Sequence, residues 1–180
     1  MGDPRNEMGE IMAAYRYFIG ADPGKSGALS VIVCPSDPTM LVGVITAKMP
    51  DSDRDLADWL RNYCHGPAWC CVEKVSAMPR RGVDGGIVKM GAASSFEFGR
   101  QFGRLCAVVT TLGISLELVP PKSWQTGLGA TRSTKDESYA ARKRRLTERA
   151  KSLFPSVKVT QQTADSLLIA EYCRRMFAKG

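Results

Sequence analysis

Short runs of β-branched and aromatic residues alternate with turn residues in the first fifty positions of the chain. Three such runs, at 17–21, 28–33 and 41–47, are separated by clusters of glycine, proline and aspartate. This pattern predicts three consecutive strands that pair as an antiparallel meander. Residues 1–14 mix charges, glycine and methionine without a period, and we expect a disordered leader there, followed by one domain over 15–180.

Helix and strand patterns alternate in the rest of the chain. Apolar spacing and start and stop signals predict helices at about 54–63, 94–112, 122–128, 134–154 and 164–177. Apolar β-rich runs predict strands at 68–75 and 116–119, of which the first is apolar on both faces and so buried. The long helix from Thr134 is predicted by the capping box that Thr134 forms with Glu137, and it would be roughly 30 Å long.

The order of these elements suits a mixed sheet with helices on its faces. Between 76 and 92, four glycines, one proline and several basic residues show no period, which predicts a mobile basic loop. Tyr139, Leu146, Ala150 and Leu153 mark the predicted buried side of the long helix.

The composition of the chain predicts a polyanionic partner. The chain has 180 residues, 44% hydrophobic and 24% charged, which is enough for one substantial core and one active site. Lys and Arg total 25 against 18 Asp and Glu, a net charge of +7 that favours nucleic acid first and an anionic membrane surface second. No apolar run reaches the roughly 18–20 residues of a membrane span, and the first residues lack a secretory signal pattern, so we expect an unexported, cytoplasmic protein. An organelle matrix stays open as an alternative.

The number and spacing of cysteine and histidine residues restrict the kind of metal site that the chain can form. Six cysteines show no CxxC spacing and lie mostly in apolar runs that indicate core, so a zinc site is not expected. His65 is the only histidine, which excludes a site built on several imidazoles. Any metal site must therefore be held by carboxylates.

Three carboxylates stand out by position. Asp22 ends the first predicted strand before a Pro-Gly turn, although aspartate is also common in such turns for local reasons. Glu73 ends the apolar strand, where an unpaired buried charge is costly; a solvated strand end beside Lys74 is the alternative. Asp165 begins the last helix, where an acid also complements the helix dipole.

Two strand ends and a helix start can bring these three acids to one point. Two unit negative charges about 4 Å apart repel by roughly 4 kcal/mol at an effective dielectric of about 20, so a cation must lie between them. All-oxygen ligation selects Mg²⁺ first and Mn²⁺ second. Two such ions roughly 3.5–4 Å apart would activate water and stabilise the leaving oxygen of a phosphodiester.

Five segments, in order along the chain, resemble the RuvC-like Holliday junction resolvases, and the phage-type and organellar branches look closer than the main bacterial one. They are FIGADPGKSGALSVI, CVEKV, SSFEFGRQFGRL, VPPKSWQTGLG with STKDES, and ADSLLIAEY. The resemblance spans about 17–172. It implies an RNase H-like fold with a mixed five-stranded sheet, a homodimer, and symmetric nicks across four-way DNA that leave 5′-phosphates, as in DNA recombination and repair.

The resemblance also implies roles for single residues. Asp22, Glu73 and Asp165 fall on the family's metal-binding acids, and Lys135 falls on a basic residue that contacts the scissile region. Lys122 is a second candidate, because Gln125 stands where many relatives carry lysine. Relatives often have a further acid three or four residues before the last one, whereas Gln161 and Gln162 occupy those positions here, which leaves open whether one or two metals bind.

The helix that carries SSFEFGRQFGRL is the predicted junction-reading element. Gly99 and Gly103 lie one turn apart and leave a patch without side chains, where DNA or another helix can approach. Phe96, Met78 or Met90 is the candidate wedge between unpaired bases at the crossover, and a place in the core is the alternative for Phe96.

Basic residues around the site are the predicted phosphate contacts. They are Arg80, Arg81 and Lys89 in the loop, and Arg142, Arg144 and Arg145 on the long helix. Contacts of this kind give salt-dependent affinity with little sequence information. A solvated helix face is the alternative for the last three.

Two other function classes fit parts of the pattern. Sugar kinases and actin-like ATPases also begin with a strand, an acidic glycine-rich turn and a second strand, but no second glycine-rich phosphate loop is present in this sequence. A protein that binds branched DNA without cutting it is the non-enzymatic alternative, because the fourth acid is missing.

Overall fold

The computed structural model describes residues 15–24, 26–35, 43–74, 91–131 and 137–178, together with the backbone of 80–81 and 87–88. The predicted leader, 1–14, lies outside the described residues.

A three-stranded antiparallel meander opens the domain, as predicted. β1 (Tyr15–Asp22) pairs with β2 (Ala28–Pro35), and β2 pairs with β3 (Gly43–Lys48). The turn between β1 and β2 is tight, and Gly24 adopts a φ of 117° there. Only glycine adopts that backbone region without strain, which explains the Asp-Pro-Gly sequence after β1.

The next two elements also follow the prediction. α1 (Asp53–Tyr63) begins at the N-cap Ser52, whose hydroxyl accepts a hydrogen bond from the backbone N–H of Asp55 at 3.1 Å. β4 (Ala68–Glu73) is buried along most of its length and ends at Glu73.

A short antiparallel ladder, β5 (Arg80–Arg81) with β6 (Ile87–Val88), lies where the sequence predicts a loop without secondary structure. Two residues on each side are too few to produce the period-two pattern by which strands are recognised. The rest of that predicted loop up to Met90 lies outside the described residues.

α2 (Ala92–Thr111) and β7 (Ser115–Val119) follow, close to their predicted bounds. β4 is parallel to β1, and β7 is parallel to β4, so the sheet order is β3-β2-β1-β4-β7. β4 therefore lies inside the sheet, as its apolar sequence predicts. The described part of the chain thus has the predicted five-stranded mixed sheet.

Three helices complete the domain. α3 (Pro121–Gly127) has proline at its first position, and α5 (Ala164–Phe177) has the predicted bounds. α4 (Tyr139–Leu153) begins later than predicted, because Ser138 is its N-cap and accepts a hydrogen bond from the backbone N–H of Ala141 at 3.2 Å.

The predicted capping box is therefore wrong as the helix start. Both Glu137 oxygens accept hydrogen bonds from Arg145, at 2.7 Å each, so this carboxylate forms an ion pair ahead of the helix; Thr134 lies outside the described residues. With 15 residues, α4 is about 22 Å long instead of roughly 30 Å. Tyr139, predicted on the buried side, is 67% exposed because it is the first residue of the shortened helix.

The sheet separates two hydrophobic clusters. α1 and α2 pack on one face, over residues such as Ile19 and Val72. α3, α4 and α5 pack on the other face, over Phe18 and Cys71. All six cysteines are described, each as a free thiol. Among the described residues, we find no helix that combines the length and the apolar character of a membrane span.

Candidate active site

Strand alternation directs two acids toward the same helix layer. Successive side chains of a strand point to opposite faces, so Asp22 shares a face with Phe18, and Glu73 shares a face with Cys71. Both Phe18 and Cys71 lie in the cluster under α3, α4 and α5. Ala21 pairs with Val72 in parallel register, so Asp22 and Glu73 are the next residues on adjacent strands. The two carboxylates therefore end neighbouring strands on one edge and on one face of the sheet.

The third acid reaches this edge on α5, which lies unusually close to β1. A Cβ on Gly20 would be 2.1 Å from the backbone nitrogen of Ala170 and 2.1 Å from the carbonyl oxygen of Ser166. The hydroxyls of Ser30 and Ser166 also form a buried hydrogen bond of 2.8 Å. These contacts fix the first turn of α5, which contains Asp165, over the end of β1.

Asp22, Glu73 and Asp165 line one cavity of about 510 Å³, here named the acid cavity. Arg142, Lys143, Gln161 and Gln162 line it too. The predicted convergence of the three acids is therefore present as a shared cavity. Among the residues that the structure describes, no three His, Cys, Asp or Glu side chains already form a closed ligand set. Mutual repulsion keeps three carboxylates apart unless a cation lies between them.

The electrostatics of the acid cavity favour added positive charge. Burial, together with the charges of Glu73 and Asp165, raises the pKa of Asp22 to about 7. Burial and the charge of Asp165 also raise the pKa of Glu73, although Arg142 and the Trp124 indole oppose that shift. Carboxylates whose charged forms are disfavoured in this way become fully ionised when a cation binds among them.

Lys143 is a cation in direct contact with one of the three acids. Its Nζ lies 2.6 Å from Asp165 Oδ2, and its side chain is 17% exposed against 3% for Asp165. Burial alone lowers the pKa of Lys143, but the hydrogen bond to Asp165 and its charge outweigh burial, so the pKa is raised and the ammonium form is retained. Asp165 Oδ1, in contrast, is buried and has no hydrogen-bond partner within the described part of the chain.

Trp124 holds the second acid. Its Nε1 donates a hydrogen bond of 3.2 Å to Glu73 Oε1, and both side chains are buried. The indole thus orients the carboxylate at the end of β4. This bond also rejects the alternative in which Glu73 is a solvated strand end.

The donor set fits a hard divalent cation. Asp165 Oδ1 is an orphaned buried acceptor, and the carboxylates beside it have raised pKa values. Carboxylate oxygens without imidazole or thiolate are the ligands that Mg²⁺ and Mn²⁺ accept. Asp22, Glu73 and Asp165 are the residues that would hold such an ion.

One of the two predicted lysines, Lys122, is described, and it lines a different cavity from the three acids. Lys122 is exposed and lines a neighbouring cavity of about 560 Å³, with Gln125, Arg142 and Arg145. Arg142 lines both cavities, so the two adjoin. Lys135 lies outside the described residues.

The arginines of α4, three of which are predicted phosphate contacts, divide into two groups. Arg142 faces the acid cavity and Arg144 is exposed, which suits a phosphate contact. Arg145 is bound internally, because it pairs with Glu137 and also donates to the carbonyl oxygen of Ala130. Arg149 likewise donates to the Leu128 carbonyl at 2.7 Å.

The exposed face of α2 has the features predicted for a contact surface. Phe96 is 75% exposed, so its alternative place in the core is wrong. Gly99 and Gly103 are exposed, and a Cβ on either would meet nothing within 4 Å. Phe98 lines the acid cavity beside the turn, whereas Phe102 packs in the core.

The predicted contacts of the basic loop lie mostly outside the described residues. The backbone of Arg80 and Arg81 forms β5, and Lys89, Met78 and Met90 lie outside the described residues.

Sequence patterns do not reveal Lys143 and Trp124, the two residues whose side chains bind Asp165 and Glu73. Lys143 is one of several basic residues in ARKRR, and only the packing of α4 against α5 selects it. Trp124 has the appearance of an ordinary core residue. One chemical property indicates its role: the N–H group of a buried indole needs a hydrogen-bond acceptor.

Solved structures provide a comparison for the whole domain. RuvC from T. thermophilus in complex with Holliday junction substrate superposes with a TM-score of 0.55 at 13% identity, covering 91% of this chain and 97% of RuvC. A Thermus thermophilus RuvC structure gives a TM-score of 0.55 at 13% identity and covers 90% and 96%. Fowlpox virus resolvase with Holliday junction DNA has 14% identity over 87% of this chain and 98% of its own, but its TM-score of 0.48 is too low to support a conclusion.

Sequence comparisons find no relative of this chain. No protein-family model matches the chain, and no curated protein sequence matches it significantly. A structural match at 13% identity concerns the fold alone. With its sheet order, its parallel β1 and β4 and its helices on both faces, this chain has the RNase H-like fold of RuvC.

Proposed function

We propose that this protein is a divalent-metal-dependent endonuclease that resolves four-way DNA junctions by paired, symmetric nicks. The chain would act as a homodimer, with Mg²⁺ or Mn²⁺ held by Asp22, Glu73 and Asp165. Its solved structural neighbours include RuvC bound to a Holliday junction substrate, which supports the choice of DNA over other phosphodiesters.

One observation carries this proposal: three acids from β1, β4 and α5 line a single cavity beside two basic side chains. The acids supply ligands for a hard cation, and Arg142 and Lys143 supply charge for a phosphate. A purely structural ion-pair network would pair each carboxylate with a cation. The described lining of this cavity has three carboxylates beside two cations, Arg142 and Lys143.

The residues of the acid cavity have separable roles. Asp22, Glu73 and Asp165 would hold a divalent cation, which would supply an activated water and neutralise charge at the scissile phosphate. Trp124 holds Glu73 in place through its Nε1. Lys143 orients Asp165 by binding Oδ2 and leaves Oδ1 for a ligand role. Arg142, which lines both adjoining cavities, is placed to hold the DNA strand that passes between them.

The exposed α2 face would contact the junction branch point. Phe96 projects into solvent next to glycines that allow close backbone approach. Unstacking a base costs a few kcal/mol in a duplex and less where bases are already unpaired, so an aromatic wedge favours branched DNA.

A second candidate is a protein that binds branched DNA without cutting it. Gln161 and Gln162, which are neutral amides, line the acid cavity where a fourth acid would add ligands. Binding without cleavage would preserve every basic contact described above.

A nicking assay on an immobile four-way junction with Mg²⁺ or Mn²⁺ tests the proposal. We expect paired nicks with 5′-phosphate ends and little cleavage of a linear duplex of the same sequence. Asp22→Asn is expected to abolish cleavage and to leave junction affinity nearly unchanged. Glu117→Gln, an exposed acid on β7, is the matched control and is expected to cut normally.

Each result assigns one function. Junction binding without nicks by the unmodified protein favours the binding-only candidate. Normal nicking by Asp22→Asn rejects the assignment of the active site. Equal affinity for linear duplex and junction rejects structure selectivity.

A further inference from the structure

We propose that the Lys143 ammonium group occupies the place of a second divalent cation beside Asp165, so that each chain binds a single Mg²⁺ or Mn²⁺. The inference rests on the proposed function, because it concerns the metal requirement of that reaction.

The first argument is the way in which Asp165 divides its two oxygens. Oδ2 accepts a 2.6 Å bond from Lys143 Nζ, and Oδ1 is buried with no hydrogen-bond partner among the described residues. For Asp165 to bridge two metal ions through its two oxygens, both oxygens would have to be available. Here the ammonium holds one of the two, so one oxygen is left for one metal ion.

The second argument concerns Gln162, which lines the acid cavity and also binds the turn after β1. Its Nε2 lies 3.3 Å from the Ser26 carbonyl oxygen and 3.4 Å from the Gly27 carbonyl oxygen, so its amide group holds the turn after β1. A carboxylate at this position would meet two carbonyl oxygens and be repelled. The cavity lining therefore provides three carboxylates and a side chain committed to the turn.

The third argument is the balance of charge. With a metal bound, when all three carboxylates are ionised, Arg142 and Lys143 beside them leave one negative charge in excess among the described lining residues. One divalent cation reverses this excess and leaves one positive charge to face a phosphate. A second divalent cation would raise the net charge of the same cavity to three positive charges, close to the Lys143 ammonium.

The test is Mn²⁺ titration of the full chain after metal removal, read by electron paramagnetic resonance of free Mn²⁺. We expect one Mn²⁺ per chain for the unmodified protein. Lys143→Glu places a fourth carboxylate beside Asp165, and we expect it to bind a second Mn²⁺. Arg144→Glu makes the same charge change at the next, exposed position of α4 and is expected to stay at one.

Lys143→Met removes the charge without adding a ligand and separates this role from a structural one. We expect Mn²⁺ to bind about tenfold more tightly, because a neighbouring positive charge is gone. Nicking of the junction is expected to fall roughly 100-fold, because the phosphate loses a stabilising cation. A merely structural lysine would weaken metal binding and activity together.

The dependence of nicking on Mg²⁺ extends the test to the DNA-bound state. A Hill coefficient of about one is expected for the unmodified protein. Two Mn²⁺ per chain, or a Hill coefficient of about two, overturns the inference and leaves the nuclease proposal intact. No Mn²⁺ at all overturns the nuclease proposal itself. If Lys143→Glu fails to fold by circular dichroism, the unmodified stoichiometry and Lys143→Met still decide the matter.

Discussion

At the scale of single residues, Asp22 has the least favourable electrostatic position in the acid cavity. Its pKa of about 7, against an ordinary 3.8, results from burial first and from the charges of Glu73 and Asp165 second. Without a cation, ionisation of this group therefore opposes folding. Metal binding removes that penalty, which couples stability to metal.

This coupling gives a pH prediction for the metal-free protein. Because the folded pKa is raised, the folded state binds the Asp22 proton more tightly, and stability falls as pH rises from about 4 to about 7. Asp22→Asn removes the ionisation, so we expect it to be more stable than the unmodified protein by about 1–3 kcal/mol at pH 8. Urea unfolding in the presence of a chelator, at several pH values, measures both effects.

Glu117→Gln is the control for this measurement, because Glu117 is exposed on β7. We expect its stability to follow the pH profile of the unmodified protein. A destabilised Asp22→Asn variant, or one with an unchanged pH profile, would contradict the electrostatic account of the cavity. Glu73 retains a raised pKa, so some pH dependence is expected to persist in the variant.

At the scale of elements, the contact between β1 and α5 determines where Asp165 lies. Gly20 provides the room, since a side chain there would overlap backbone atoms of Ala170 and Ser166. We expect Gly20→Ala to cost several kcal/mol, because backbone atoms at 2.1 Å cannot move aside without shifting the helix. Thermal unfolding and Mn²⁺ affinity are both expected to decline.

Gly99→Ala is the matched control on α2. A Cβ at Gly99 meets nothing within 4 Å, and alanine is the better helix former by roughly 0.5–1 kcal/mol. We therefore expect equal or higher stability. An unperturbed Gly20→Ala protein would show that α5 is not fixed by close approach to β1.

Most elements could be predicted from local pattern, because the apolar period and the turn residues agree with the final fold. The strands of the meander and the helix α5 are examples. The start of α4 could not be predicted, since Thr134 and Glu137 match a capping box whereas Glu137 is committed to Arg145. The ladder of β5 and β6 is too short to leave a pattern.

The candidate site was predictable in part for a similar reason. Strand ends and a helix start follow from the sequence, so the convergence of Asp22, Glu73 and Asp165 could be predicted from element order. Lys143 and Trp124 could not, because their contacts depend on how α4 and α3 pack over the sheet. Which arginine on α4 faces the cavity also depends on that packing.

At the scale of the whole molecule, the net charge of +7 favours DNA of any sequence, and the arrangement of basic residues determines the salt dependence. Arg142→Ala removes one phosphate contact, so the slope of log affinity against log salt is expected to decrease in magnitude by about 1. Arg61→Ala, an exposed residue on α1, removes the same charge elsewhere and should leave the slope unchanged. Titrations of a four-way junction at several salt concentrations measure this, and equal slopes for the two variants would exclude Arg142 from the DNA path.

The central claim is that Asp22, Glu73 and Asp165 share a hard cation. Anomalous diffraction from crystals grown with Mn²⁺ tests it most directly. We predict one anomalous peak per chain in the acid cavity, at about 2.1 Å from an oxygen of each of the three acids. A peak that contacts none or only one of them, or no peak at saturating Mn²⁺, would contradict the account.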